Sequence, residues 1–382
     1  MSEDVLDDIL DDSNEGTKEE VKKEDKKAEQ PQPAKNKDAD EFKPGVGVDV
    51  GTSNIVVARQ RKDGTFVNRF HRDMLYPLDV SDESADLLER SDYLYVKVGD
   101  RYYIVGEDAL RLVNAIGKGE VVRPMQDGIL NPTLKESSEL LFYVIKAVVG
   151  DPIIENEPLR FSIPANPVDR DLDNLFHKMV LDNFFNKLGY DSKAVNEAMA
   201  LGYDSNPVTK NDDGDAQLSG ICCSFGGGMI NVALMFKGLE LNSFSITKSG
   251  DYIDQSASKV TGIAESKIIK IKEKELDLNN LDMSDRVKAA LSIYYEEMLN
   301  RVIDLISKEF IDRKSEADGE LEVVVAGGTS MAPGFCDHFT RLIKQSDIPF
   351  KISNVRHASE PFYAVSQGAC IRAQADYSKL NK

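Results

Sequence analysis

The sequence predicts an α/β fold in which one unit occurs twice, giving two domains with a cleft between them. Residues 45–70 form three short apolar runs separated by turn residues, which is typical of an antiparallel strand meander. The same pattern returns at 219–250, and each meander is followed by stretches with the apolar spacing of helices. A duplicated α/β unit forms its best pocket where the copies meet, so we expect the functional site at that seam.

The elements of the first copy follow from local composition. Apolar runs at 93–99 and 101–106 predict strands, and a helix is expected from Glu107. The segment 137–150 has helical periodicity, 159–165 is a buried strand, and 168–189 is an amphipathic helix closed by glycine. Residues 193–205 then change from strand to helix. We therefore place the first domain at 45–190, with a small outer subdomain at about 72–103.

The second copy, 191–382, repeats this order. Helices are predicted at 252–260, 265–275 and 285–310, and a final strand at 321–328 leads into a helix after Pro333. A last helix at about 360–376 is expected to return to the first domain.

Composition limits the possible partners. The chain has 382 residues, a net charge of −19 and 41% apolar residues, enough for substantial cores. Nucleic acid is not expected as a direct partner, because phosphate backbones are bound by clustered Lys and Arg. No signal peptide or run of ~20 apolar residues is visible, and peripheral membrane contact stays open. The four cysteines lack metal-site spacing, so we expect free thiols in the cytoplasm.

Residues 1–44 differ from the rest of the chain. They carry 15 Asp and Glu and 8 Lys, with almost no apolar residue after Leu10, and predict a disordered tail. Within it, Val5, Leu6, Ile9 and Leu10 recur at helical intervals. They are either stray apolar residues or a short helix that forms when an adaptor binds.

The first glycine turn is "DVGTSN", at the end of the first strand. Gly51 permits a tight turn, while Thr52, Ser53 and Asn54 offer hydroxyl and amide groups. Backbone N–H groups at such a tip can hold phosphate oxygens, and Asp49 can orient water bound to Mg²⁺. For this stretch alone, an ordinary hairpin in which the polar side chains satisfy the turn is the preferred interpretation.

Two further glycine turns occupy comparable positions. In the second copy, "SFGGGMIN" joins two apolar runs through Gly226, Gly227 and Gly228. In "VVVAGGTSMAPGF", Gly327 and Gly328 follow a strand and precede a helix, where a flat base or ribose could lie against the backbone. A plain hairpin and a plain strand-to-helix turn are the alternatives.

The three turns in this order resemble the actin superfamily, which includes chaperone ATPases and hexokinase-type sugar kinases. The likeness covers about residues 45–375, and the segments "VRPMQDGIL", "SGDYID", "KIKEKEL" and "SEPFYAVSQGA" extend it. The small outer subdomain is most similar to bacterial actins of the MreB and MamK type. The resemblance implies a duplicated RNase H-like actin fold, with ATP and Mg²⁺ in the cleft between two domains, each carrying a small subdomain.

The resemblance also implies residue roles. Asp49 would hold Mg²⁺ through water, and Glu197, in "VNEAMALGYDS", would act on the attacking water as the catalytic residue. An acid that merely favours a helix start is the alternative for Glu197. The residues that would contact nucleotide are Asp49, Gly51, Thr52, Ser53, Asn54, Ser224, Gly226, Gly227, Gly228, Lys272, Glu273, Gly327, Gly328 and Thr329.

The second turn departs from the family pattern. Most relatives have Asp where this chain has Ser224, and a Thr followed by an acid where it has Met229 and Asn231. The backbone cradle for phosphate is retained, but carboxylates that support Mg²⁺ and hydrolysis are lost.

The function that follows is an actin-like cytoskeletal protein that binds ATP with Mg²⁺ and polymerises head to tail, with slow hydrolysis controlling filament turnover. A nucleotide-binding scaffold with little or no hydrolysis is the main alternative. A small-molecule kinase of the same fold ranks lower, because no sugar-pocket motif stands out.

Overall fold

The computed structural model describes residues 41–91, 93–116, 120–203, 218–317 and 319–380. The apolar residues between Val5 and Leu10, and the predicted tail as far as residue 40, lie outside these ranges. The first strand begins at Phe42, three residues before the predicted domain boundary.

The strands are β1 (Phe42–Val50), β2 (Asn54–Arg61), β3 (Phe66–Arg72), β4 (Leu75–Asp79), β5 (Tyr95–Val98), β6 (Arg101–Val105), β7 (Met125–Gln126), β8 (Ile129–Leu130), β9 (Glu157–Ile163), β10 (Tyr190–Asn196), β11 (Gly220–Phe225), β12 (Ile230–Phe236), β13 (Leu239–Ile246), β14 (Glu320–Ala326) and β15 (Lys351–His357). The helices are α1 (Asp82–Arg90), α2 (Glu107–Ile116), α3 (Ser137–Val149), α4 (Leu175–Lys187), α5 (Glu197–Gly202), α6 (Gly250–Thr261), α7 (Glu265–Lys274), α8 (Arg286–Glu309), α9 (Phe335–Gln345) and α10 (Ala364–Leu380).

Two five-stranded sheets share one topology. The first has the strand order β10-β9-β1-β2-β3 and the second the order β15-β14-β11-β12-β13. In each, three strands form an antiparallel meander, and two parallel strands extend the side of the first meander strand. Helical crossovers connect the parallel strands, as they must. The predicted α/β duplication, and with it the fold class, is confirmed.

The second sheet is buried on both faces, which explains why β11 and β12 are apolar almost throughout. Large side chains such as Phe225 and Ile230 pack toward α8 and α9 on one face. On the other face, small side chains such as Cys222 and Ala233 pack toward α5 and α10. Small residues let these two helices approach the sheet closely.

The C-terminal helix α10 lies directly on β1 of the first sheet. A Cβ added at Gly47 would be 1.9 Å from the carbonyl oxygen of Ser366, so only glycine fits there. Arg160 of β9 also donates to Asp376 of α10 at 2.9 Å. The helix begins and ends about four residues later than the sequence predicts, at Ala364 and Leu380.

Some elements differ from the sequence prediction. The strand 321–328 is not the final one, because β15 follows and pairs in parallel with β14. Only Val355 of β15 is buried, so the strand lacks an apolar signal. In the stretch 72–103, β4 and the polar helix α1 were also missed, although Ser81 caps α1 by accepting from the Ser84 N–H at 3.1 Å.

In the described ranges, no helix combines the length and apolar character needed to cross a bilayer.

Candidate functional site

The first two glycine turns occupy equivalent places in the two sheets. The first joins β1 to β2, and the Gly51 N–H donates to the Asn54 carbonyl at 3.1 Å. The second joins β11 to β12, and the Gly226 N–H donates to the Met229 carbonyl at 2.9 Å. Because the sheets share a topology, the two tips are structural counterparts, as the sequence pattern indicates.

The two turns face each other at close range. A Cβ added at Gly227 would lie 2.0 Å from the Ser53 hydroxyl oxygen, and one added at Gly228 would lie 2.3 Å from that of Thr52. The Thr52 hydroxyl also accepts from the Gly128 N–H at 3.0 Å. The glycines of the second turn are therefore required where it approaches the first.

Four backbone N–H groups on these tips have no hydrogen-bond acceptor among the residues that the structure describes. Those of Thr52, Ser53, Gly227 and Gly228 make no hydrogen bond within the described part of the chain. Thr52 is only 3% exposed, and a buried N–H without a partner is costly. Such N–H groups around paired turns form a nest for an anion such as a phosphate chain.

The third turn is bonded to the second. The Thr329 hydroxyl donates to the Gly226 carbonyl at 2.7 Å, and the Ser249 hydroxyl donates to the same oxygen at 2.6 Å. Gly327 has φ +90°, and a Cβ there would be 2.4 Å from the Phe225 carbonyl oxygen. A Cβ at Gly328 would meet nothing within 4 Å, so this side of the turn is open.

Asp49, the second-last residue of β1, lies beside a serine that sequence reasoning missed. The Ser162 hydroxyl, on β9, donates to Asp49 Oδ1 at 2.7 Å and accepts from the Val50 N–H at 3.0 Å. Burial raises the pKa of Asp49 to about 6, and the hydrogen bond from Ser162 opposes that rise. No sequence signal distinguishes Ser162, because its partner is remote in the chain.

Glu197 is the first residue of α5, and Asn196 caps the helix by accepting from the Met199 N–H. The Ser224 hydroxyl donates to Glu197 Oε1 and the Asn231 amide to Oε2, both at 2.7 Å. Burial raises the pKa of Glu197 to about 8, and the nearby charge of Asp49 adds to this. Two of the three positions where the sequence departs from the family pattern, Ser224 and Asn231, thus contact Glu197.

Lys272 and Glu273, both on α7, make ion pairs. Lys272 Nζ lies 2.5 Å from a carboxylate oxygen of Asp254 and donates to the Gly250 carbonyl at 3.3 Å. Glu273 accepts from Arg72, at the end of β3, at 3.0 Å. Lys272 therefore contacts residues next to the second turn and not the turn itself, whereas Glu273 faces the first sheet. Their predicted contact with ribose and base stays a prediction.

Further charged residues surround the turns. Arg123 pairs with Asp251 at 2.8 Å, and the Asp251 N–H donates to the Gly227 carbonyl at 2.8 Å. Although burial lowers the pKa of Arg123, the charge of Asp251 raises it overall. The N–H of buried Asp73 donates to the Ser53 carbonyl at 2.9 Å. Arg123 lies in "VRPMQDGIL", one of the segments that resemble the actin superfamily. The sequence of this segment did not indicate that Asp251 would be the partner of Arg123.

The residues fit a hydrated divalent cation. Asp49 and Glu197 are neighbouring carboxylates that accept hydrogen bonds from neutral side chains, Ser162 for Asp49 and Ser224 and Asn231 for Glu197. Within the described ranges, no group of three or more His, Cys, Asp or Glu side chains could ligate a metal. Mg²⁺ keeps most of its water shell and needs few direct protein ligands, so the carboxylates of Asp49 and Glu197 are donors that would hold it through water.

The fold and the paired turns define a protein of the actin-like ATPase fold. Its structure is similar to that of a MamK double helical filament (18% identity, TM-score 0.64), covering 86% of this chain and 98% of that one. It is also similar to MreB 5 of Spiroplasma citri bound to AMPPNP (14% identity, TM-score 0.58). A third similar structure is MreB5 of the same organism bound to ADP (15% identity, TM-score 0.55). Each of these two matches covers 89% of this chain and 99% of the other one.

The family is given by a sequence model that matches residues 45–373. The chain belongs to the volactin family. No curated protein matches it.

Proposed function

We propose that this protein is a cytoplasmic, actin-like cytoskeletal protein that binds ATP with Mg²⁺ and polymerises, with slow hydrolysis controlling filament turnover. The observation that carries the proposal is the set of four N–H groups on two facing turns, none of which donates to an acceptor in the described ranges. A phosphate chain between the turns would satisfy these donors. The MreB5 structures, named as bound to AMPPNP and ADP, support a nucleotide as the ligand.

Each element of the site has a separate role. The turns at Thr52–Ser53 and Gly227–Gly228 would hold the phosphates, and the turn at Gly327–Thr329 would line the adenosine pocket, with Lys272 and Glu273 near the ribose and base. Asp49 would hold Mg²⁺ through water, and the bound cation offsets phosphate charge. Glu197 would orient the attacking water and accept its proton.

Self-association is the expected partner interaction. The MamK neighbour is named as a double helical filament, which supports assembly for a chain of this fold. A head-to-tail contact between unlike surfaces leaves both ends open, so it extends into a filament unless the rotation closes a ring. The tail at 1–44 remains our predicted site for an adaptor.

A scaffold that binds nucleotide with little hydrolysis is the second candidate, and one observation favours it. Burial and the nearby charge of Asp49 raise the pKa of Glu197, which favours its protonated form, and a protonated carboxyl cannot accept a proton from water. In that case nucleotide binding alone would set the state of the protein.

The test measures binding, assembly and phosphate release on one sample. ATP with Mg²⁺ is titrated against the full chain, which is then imaged by negative-stain electron microscopy at micromolar concentration. Saturable binding and ATP-dependent filaments are expected. Binding without phosphate release would favour the scaffold, and the absence of both binding and filaments would reject the proposal.

A further inference from the structure

Ser224 and Asn231 form a pair beneath Glu197. They lie directly opposite each other on β11 and β12, so their side chains project from the same face of the sheet. Each donates to a different oxygen of Glu197 at 2.7 Å. Ser224 is 2% exposed and Asn231 is fully buried, so water does not compete for these bonds.

The orientation of the Asn231 amide is set by a third group. Its Oδ1 accepts from the Ala165 N–H, in the segment after β9, at 2.9 Å. A backbone N–H can only donate, so the amide oxygen must face Ala165 and the NH₂ group must face Glu197. Asn231 thereby connects Glu197 on α5 to the first sheet through one side chain.

We propose that Ser224 and Asn231 are positioning residues that hold the Glu197 carboxylate in place for hydrolysis. The inference rests on the proposed ATPase function. Both side chains occupy positions where the family resemblance leads one to expect carboxylates. A carboxylate at either position could not donate to Glu197 when ionised, and it would place a like charge within hydrogen-bond distance. Glu197, Ser224 and Asn231 are therefore a mutually compatible set.

This arrangement leaves Glu197 able to bind water. A carboxylate has about four lone-pair sites, and the two hydrogen bonds use one on each oxygen. The bonds remove the rotational freedom of the side chain while leaving lone pairs for an attacking water. Restoring a family-type acid at either position should therefore slow hydrolysis instead of accelerating it.

The experiment compares Ser224→Asp, Asn231→Asp and Ser224→Ala with the wild type. Asn231→Asp keeps the side-chain shape and the acceptor for Ala165, so it remains informative if Ser224→Asp does not fold. The kcat of phosphate release is measured at saturating ATP, and the Kd for ATP is measured separately. We expect kcat to fall about tenfold or more in each variant, while the Kd of Asn231→Asp changes less than about threefold, because Asn231 acts on the water through Glu197 and not on binding.

Two controls separate positioning from a merely structural role. Ser224→Thr keeps the hydroxyl and should retain more activity than Ser224→Ala. In a Glu197→Ala background, Ser224→Ala should change kcat by less than about twofold, because a residue that acts through Glu197 has nothing left to position. If the effects of Ser224→Ala and Glu197→Ala on kcat were fully additive, or if Ser224→Asp were as fast as the wild type, this inference would be overturned while the proposed function would stand. A wild type that binds ATP but releases no phosphate would overturn the proposed hydrolysis and this inference with it.

Discussion

The hydroxyl of Ser53 occupies the space in which a side chain on Gly227 would begin. The Ser53 Oγ would lie 2.0 Å from a Cβ at Gly227, closer than any real Cβ contact, and the next atom, Ser53 Cβ, would lie at 3.1 Å. This serine and this glycine form one of two contacts between the turns, the other being that of Thr52 with Gly228.

Replacing this glycine should push the turns apart. Gly227→Ala is expected to lower the free energy of unfolding by about 1–3 kcal/mol, the usual cost of overpacking, and to weaken ATP binding. Ser53→Ala removes the atom that clashes, so the double variant should recover most of the lost stability. Thermal unfolding and ATP titration of both variants check this, and a double variant no better than Gly227→Ala would contradict the assigned contact.

Glu197→Gln should separate binding from turnover. The amide keeps the size of the side chain but cannot accept a proton, so kcat for phosphate release should fall about 100-fold while the Kd for ATP is little changed. The exposed acid Glu155 provides the matched control, since Glu155→Gln should leave both quantities unchanged. Unaltered phosphate release in Glu197→Gln would exclude Glu197 as the catalytic residue.

Asp73 should make stability depend on pH. It is fully buried, one carboxylate oxygen has no hydrogen-bond partner among the described residues, and burial raises its pKa from 3.8 to about 8, opposed by the N–H of Met125 and by Arg123. The folded state therefore holds a proton that the unfolded chain releases above pH 3.8. Its contribution to stability is fully present below that pH and is lost as pH rises toward 8.

Asp73→Asn tests this dependence. An amide oxygen can still accept from Met125, but the side chain does not titrate. Urea unfolding at pH 6 and pH 8.5 should show a smaller loss of stability for the variant than for the wild type. Equal losses in the two proteins would assign the pH dependence to other groups, of which Glu197 is the next to examine.

Arg72 and Glu273 should couple the two halves weakly. Their ion pair, at 3.0 Å, joins β3 of the first sheet to α7, and Glu273 is about one-third exposed. A double-mutant cycle of Arg72→Ala and Glu273→Ala should give a coupling energy of about 0.2–1 kcal/mol that declines with added salt. Arg72 also forms an ion pair with Glu107. A second cycle, of Arg72→Ala with Glu107→Ala, is the control because it measures the part of the Arg72 effect that belongs to this other pair. A coupling energy independent of salt would argue against an ionic contact.

The predictable part of the site is local. Gly51 and the run Gly226–Gly228 are recognisable because glycine between apolar strands indicates a tight turn. The roles of Ser162 and Arg123 could not be predicted, because their partners are 113 and 128 residues away. Strand β15 escaped prediction for a related reason, since it is an edge strand whose pairing with β14, and not its own apolar content, makes it a strand.

By itself the sequence determined the duplicated α/β architecture and its three glycine turns, because apolar periodicity and turn chemistry act over a few neighbouring residues. Only the tertiary structure decided what Ser224 and Asn231 do. The sequence alone presents them as lost carboxylates, whereas the fold brings them, from 27 and 34 residues away, to the two oxygens of Glu197. Burial in the assembled fold also sets the pKa of that carboxyl, and no local pattern encodes burial at such a distance.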